Sequence, residues 1–234
     1  MTTVKGTARL TGLAYLGLAV SGMLAFLLIR EQLYVPDDAA ATLANLESRA
    51  GLARVGVAAD LTVVLTQSLA ALGFFRLFRP AGSFAAGAIA AFGLVNAVII
   101  LVATAFSATA LDVALSDTLS VDDRAASAQL LYDLSGAAWD VGGLFFGLWL
   151  LPMGWLAWRS GSMPRLLGWA LLVGGVGYIL STYVHALVPD IGSWSAALTV
   201  PASVGEFWMI GYLLWKGVRP PAEVRTAAEA TVGR

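Results

Sequence analysis

The chain has 234 residues, of which 59% are hydrophobic and 12% are charged, and its formal net charge is −1. Soluble domains are about 45–50% apolar and 25% charged, so this composition excludes an ordinary soluble protein and predicts a polytopic membrane protein in contact with the lipid bilayer. The near-zero charge predicts no nucleic-acid partner, while the absence of Cys and the single His185 predict no haem, thiolate zinc or iron–sulfur site.

Six apolar segments are long enough to cross a bilayer, which takes about 20 helical residues. The first, residues 10–30, exceeds the roughly 7–15 residues of a signal-peptide core and is predicted to be an uncleaved helix. The other five are predicted at residues 51–78, 83–107, 121–158, 166–187 and 195–218. We therefore expect an all-α domain of six transmembrane helices over residues 1–219.

The connections contain three smaller features. A short helix is predicted over residues 39–46, inside an outer loop at residues 31–50. Ser120 followed by Asp123 resembles a capping box and predicts the start of the fourth membrane helix. Residues 220–234 are polar and contain two prolines, so they are predicted to be a short, mobile cytoplasmic tail.

Charged residues alternate between the two sides of the predicted membrane. Basic residues mark one side: Lys5, Arg9, Arg76, Arg79, Arg159, Arg165, Lys216 and Arg219. Acidic residues mark the other: Glu31, Asp37, Asp38, Glu47, Asp112, Asp117, Asp122, Asp123 and Asp190. Because basic loops stay inside, both termini are predicted to be cytoplasmic. The exceptions on the outer side are Arg30, Arg49, Arg54 and Arg124.

Four carboxylates lie within the predicted membrane helices: Asp60, Asp133, Asp140 and Glu206. A charge in hydrocarbon costs roughly 2.5–3.5 kcal/mol, so these groups must be paired, protonated, hydrated or bound to a ligand. Counting about 1.5 Å per residue puts Asp60, Asn96 and Asp140 at a similar depth. Glu206 lies deeper, and Asp133 lies at the outer rim.

Helical spacing predicts which side chains face inward. On the fourth helix, Gln129, Asp133, Gly136 and Asp140 recur at steps of three and four. Together with Asp60 and Glu206 they predict an outward-facing polar pocket, shaped by Asn96, Tyr178 and Trp139. Arg54 is a predicted partner for its carboxylates. Pro201, about a turn from Glu206, predicts a kink or break in the sixth helix.

Gly143 and Gly147 form a GxxxG pair on the fourth helix. Small residues at this spacing let helices approach closely. The pair therefore predicts close helix packing, and a homo-oligomer formed through it is one alternative.

These observations leave several functions open. The leading hypothesis is a pocket that binds a cation or small molecule, as in a proton- or ion-coupled transporter, with Asp60, Asp140 and Glu206 recognising charge. A membrane-embedded enzyme acting on a lipid or quinone is the alternative, with carboxylate acid–base chemistry or a metal held by Asp60, Asp140 and His185. A structural or partner-binding subunit, in which interhelical hydrogen bonds satisfy the carboxylates, is the third.

Four stretches carry a family resemblance: RLTGLAYLGLAVSGMLAF at 9–26, VPDDAAATLANLESRAGLARVGVAADL at 35–61, FFGLWLLPMGWLAWRSGSMPRLLGWALLVGGVGYI at 145–179 and VGEFWMIGYLLWKGV at 204–218. Through them the chain resembles a bacterial six-helix membrane family, domain of unknown function 4386. The resemblance implies the fold and a bacterial inner-membrane location, and it implies no activity. The sequence of this chain differs from the family's pattern at Ser135, where the family often has a His.

Overall fold

The computed structural model describes residues 4–188 and 197–217, and every regular element within these ranges is helical. The helices in chain order are α1 (Val4–Leu33), α2 (Ala39–Ser48), α3 (Ala50–Phe78), α4 (Ser83–Ala114), α5 (Val121–Arg159), α6 (Arg165–Leu187) and α7 (Val200–Trp215). The predicted tail at 220–234 and the predicted start of the sixth helix at 195–196 lie outside the described residues.

Five helices are long and apolar enough to cross a membrane, namely α1, α3, α4, α5 and α6. This confirms the prediction of an all-α, multi-pass membrane protein. The largest difference in bounds is at α4, which ends at Ala114 rather than near Ser107. The extra residues are mostly good helix formers, so the helix runs on past the apolar segment. The short helix predicted at 39–46 is confirmed as α2.

Local side-chain contacts explain where several helices begin. The Asp38 carboxylate accepts a hydrogen bond from the Ala41 amide at the start of α2. The Ser120 hydroxyl accepts one from the Asp123 amide and donates one to the Asp123 carboxylate, which confirms the predicted start of α5 at Ser120. The Asp123 carboxylate thus bonds to the hydroxyl and not to the Ser120 amide, as it would in a full capping box. Pro201 lies in the first turn of α7, where a missing amide donor has no cost. It starts the helix rather than kinking it.

The middle of α1 departs from α-helical geometry. Residues Met23–Arg30 form π-helical turns between the α-helical segments Val4–Gly22 and Glu31–Leu33. Such wider turns are rare and are frequently found at functional sites. Here they end at Arg30, a charged residue within a membrane-spanning helix.

The chain divides into two compact units, each with contributions from several helices. Unit 1 contains Met1–Tyr15, Ser68–Val95 and Gly143–Arg234, and unit 2 contains Leu16–Gln67 and Asn96–Gly142. The core of unit 2 combines side chains of α1, α2, α3, α4 and α5. Its fully or almost fully buried members include Leu33, Leu46, Ala53, Ala110, Ala128 and Tyr132.

Glycines set the distances between helices in unit 1. A Cβ atom on Gly147 would lie 2.6 Å from the backbone oxygen of Gly175, and one on Gly143 would lie 2.8 Å from the Thr182 hydroxyl. The predicted close packing at this GxxxG pair is therefore confirmed, and its partner is α6 of the same chain. In this structure α6 occupies this surface, and a homo-oligomer formed through Gly143 and Gly147 stays a prediction.

Candidate functional site

Unit 2 contains a cavity with two opposite charges in its wall. It is partly open to the outside, and its polar lining consists of Arg30, Asp60, Ser107 and Tyr132. Trp139 and aliphatic side chains form much of the remaining wall. Aromatic and apolar walls with a few convergent polar groups are typical of ligand pockets.

Arg30 is held by neutral groups of α5. Its Nη2 donates a hydrogen bond of 2.7 Å to the backbone oxygen of Tyr132, and its Nη1 donates one of 3.3 Å to the Ser135 hydroxyl. A Cβ atom on Gly136 would lie 2.9 Å from Nη2, so only glycine leaves room for this position of the guanidinium. These contacts use two of the five N–H donors of the side chain.

Three aromatic rings surround the Arg30 guanidinium. Its central carbon lies 5.1 Å from the ring centre of Tyr34, 5.3 Å from that of Tyr132 and 5.9 Å from that of Phe26. Each ring face attracts the cation, by about 0.5–2 kcal/mol in known cases. The rings thus stabilise a permanent positive charge without neutralising it.

Asp133 and Tyr34 form a polar contact beside this cluster. The Tyr34 hydroxyl donates a hydrogen bond of 2.5 Å to the exposed Asp133 carboxylate, and the Tyr34 ring stacks on that of Tyr132. Burial raises the pKa of Tyr34 to about 12, and the hydrogen bond to Asp133 adds to this shift. The hydroxyl therefore stays protonated at neutral pH and keeps donating to Asp133.

The other predicted residues of unit 2 have different positions. Asp60 is half-buried in the cavity and accepts no hydrogen bond from the described residues. Asn96 is fully buried, and its amide atoms lack hydrogen-bond partners within the part of the chain described. Asp140 and Arg54 are exposed, and neither lines the cavity. Asp140 does interact electrostatically with Arg30.

The inward stripe of α5 overlaps the predicted one at Gly136 and also includes residues beside it. Tyr132, Ser135 and Gly136 contact or border Arg30, and Trp139 lines the cavity. Neighbouring residues on a helix point about 100° apart. Trp139 lines the cavity, and the exposed Asp140 next to it is still close enough to Arg30 to interact with it electrostatically.

Unit 1 contains the remaining carboxylate, Glu206. The Tyr15 hydroxyl donates a hydrogen bond of 2.6 Å to its Oε1, joining α1 to α7. Edge-to-face contacts link the Tyr15 ring to Phe74 and Trp149, with centroids 5.4 and 5.5 Å away. The predicted residue Tyr178 also belongs to this unit and stacks on Phe146. Glu206 is thus half-buried and held by a tyrosine that is 1% exposed.

The metal alternative gains no support from side-chain positions. Among the described residues, no three His, Asp or Glu side chains are grouped as metal ligands would be. His185 is exposed in the last turn of α6. The set of Asp60, Asp140 and His185 is therefore not a metal site of this structure.

The comparison with protein families agrees with the resemblance seen in the sequence. The model of a family described as a domain of unknown function (DUF4386) matches residues 10–217. The chain belongs to this family. No curated protein and no solved structure matches this DUF4386 protein.

Sequence reasoning missed two residues of this DUF4386 protein. Arg30 was interpreted only as an exception to the charge rule, and Tyr15 was not singled out. The signal for Arg30 was an arginine directly after an apolar run that also contains Phe26, followed by Tyr34 one turn later. Tyr15 had no such signal, because a single tyrosine in an apolar helix is common.

Proposed function

We propose that this DUF4386 protein is a bundle of six transmembrane helices with both termini in the cytoplasm. The sixth helix is α7, which is 16 residues long and mostly apolar. It packs closely on α6, because a Cβ atom on Gly174 would collide with the backbone of Ala202. The alternation of basic and acidic connections supports the orientation, and an even number of spans returns the chain to the same side.

We further propose that the cavity of unit 2 binds a small polar molecule that enters from the outer side. The observation that carries this proposal is that Arg30 and Asp60 line one cavity without an ion pair within 4.0 Å between them. Two opposite charges at membrane depth are costly unless something satisfies both. A bound molecule would do so. Because Arg30 repels cations, the cavity favours a polar molecule over a bare cation.

Transport is the use of this site that we favour. The cavity is lined by residues of the π-helical turns of α1, including Phe26 and Arg30. Irregular helix geometry beside a polar site near the middle of a bundle recurs in transporters. Uptake of the bound compound into proteoliposomes would support transport. Binding without uptake would favour the enzyme or partner-binding alternatives.

The binding proposal predicts that two substitutions remove ligand-dependent stabilisation. A small polar metabolite at about 100 times its Kd should stabilise the wild type by about 2.7 kcal/mol. Arg30→Gln and Asp60→Asn should lose this effect because each removes one of the two charges. The measurement is thermal unfolding of purified protein in detergent with a panel of polar metabolites.

Arg54→Gln and Asp112→Asn are the matched controls. Both residues are exposed and neither lines the cavity, so both variants should respond to ligand like the wild type. If no metabolite stabilises the wild type, or if all four variants respond alike, the cavity is not a binding site.

A further inference from the structure

We infer that the ligand of this cavity is a small zwitterion, with an anionic group bound by Arg30 and an ammonium group bound by Asp60. A small free amino acid is the simplest member of this class. The inference rests on the proposed binding function and specifies its chemistry.

The first step concerns the anionic group of the ligand. Both hydrogen bonds of Arg30 go to neutral oxygens, and its other close neighbours are aromatic rings. Its charge is therefore not neutralised by direct contact with a carboxylate, and three N–H donors stay available. A guanidinium fixed in this way matches a carboxylate or phosphate, which it can bind through two parallel hydrogen bonds.

The second step concerns the ammonium group. Within the described residues Asp60 accepts no hydrogen bond, although its side chain lines the cavity. Tyr132 lines the same cavity, and its hydroxyl likewise has no hydrogen-bond partner in that part of the chain. A carboxylate and a phenolic oxygen together offer acceptors for the three N–H groups of an ammonium ion.

The third step excludes simpler ligands. A monovalent cation at Asp60 would be repelled by Arg30, and a simple anion at Arg30 would be repelled by Asp60. The exposed Asp140 adds a second negative charge that interacts with Arg30, so a simple anion is disfavoured further. A zwitterion satisfies both sites at no net charge.

Zwitterions of this kind have two sources, free amino acids and the ethanolamine headgroup of membrane lipids. The probes are therefore the free L-amino acids tested one at a time, and phosphoethanolamine. For the strongest amino acid, the deaminated acid and the decarboxylated amine are tested as well. Binding is measured by calorimetry on the full chain in lipid-free detergent.

The expected result is a crossed pattern. Both analogues should bind at least about tenfold more weakly than the amino acid. Arg30→Gln should weaken binding of the amino acid but not binding of the decarboxylated amine. Asp60→Asn should weaken binding of the amino acid but not binding of the deaminated acid. If Arg30→Gln does not fold, Gly136→Ala should weaken binding of the amino acid to a smaller extent and leave binding of the decarboxylated amine unchanged, because its Cβ shifts Nη2 while the positive charge stays in place.

The other outcomes are equally informative. Binding of phosphoethanolamine without any amino acid supports the zwitterion and assigns it to a lipid headgroup. If only uncharged or singly charged metabolites bind, and their binding still requires Arg30 and Asp60, the ligand is not a zwitterion. The proposed binding function is then still supported. Equal binding of the amino acid and both analogues also overturns the zwitterion.

Discussion

Gly147→Ala should lower the free energy of unfolding by about 1–3 kcal/mol, the usual cost of overpacking a tight contact. The added Cβ would lie 2.6 Å from the Gly175 backbone oxygen and 3.0 Å from the Ile179 backbone nitrogen. Because backbone atoms cannot move aside as a side chain can, α5 and α6 must separate. The measurement is denaturant-induced unfolding in detergent, followed by circular dichroism.

Gly87→Ala provides the matched control. No atom lies within 4 Å of a Cβ built on Gly87, which is also helical. Alanine should therefore leave stability unchanged or raise it by up to about 1 kcal/mol, since glycine is the poorer helix former. Equal effects of the two substitutions would show that the α5–α6 contact does not depend on Gly147.

Tyr15→Phe should cost about 1.5–3 kcal/mol of stability, the range for a hydrogen bond to a charged group. The substitution keeps the ring contacts with Phe74 and Trp149 but removes the only described hydrogen-bond donor to Glu206. The Glu206 carboxylate then lies half-buried in the bundle without this donor. Unfolding of the same kind as for Gly147→Ala measures the loss.

A double-mutant cycle isolates this hydrogen bond. In a Glu206→Gln background, Tyr15→Phe should cost clearly less than in the wild type, with a coupling energy of at least about 0.5 kcal/mol. Tyr183→Phe is the control, because Tyr183 is 56% exposed and should tolerate loss of its hydroxyl. Additive effects of the Tyr15 and Glu206 substitutions would contradict a stabilising contact between them.

The helices were predictable because their signal is local. Apolar runs of sufficient length predicted α1 and α3 to α6, and Ser120 predicted the start of α5. Neither prediction requires knowledge of the tertiary fold. The π-helical turns in α1 were not predictable, because no residue in Met23–Arg30 distinguishes them from an ordinary α-helix. The end of α4 was missed for a related reason: alanines extend a helix beyond the apolar segment.

The candidate site was predictable only in part. Asp60 and Trp139 were both selected from the sequence and line one cavity. Arg30 was missed because a long cationic side chain at the end of an apolar run usually reaches the interface, so its sequence position alone does not reveal a ring of aromatic neighbours. The inward stripe of α5 was predictable in part: Gly136 belongs to it as predicted, whereas Ser135 and Trp139 lie beside the predicted positions. Whether Asn96, Tyr178 and Glu206 contribute to binding stays a prediction.

The wide turns of α1 bear on how this chain tolerates changes in length. In a π-helix each turn holds an extra residue, so deleting one residue from Met23–Arg30 lets the segment return to ordinary α-helical geometry. In a regular α-helix the same deletion rotates everything beyond it by about 100°. A relative that lacks one residue here can therefore still align with this chain on both sides of the gap. A helical wheel that assumes α-helical geometry beyond Gly22 assigns the wrong face to Arg30.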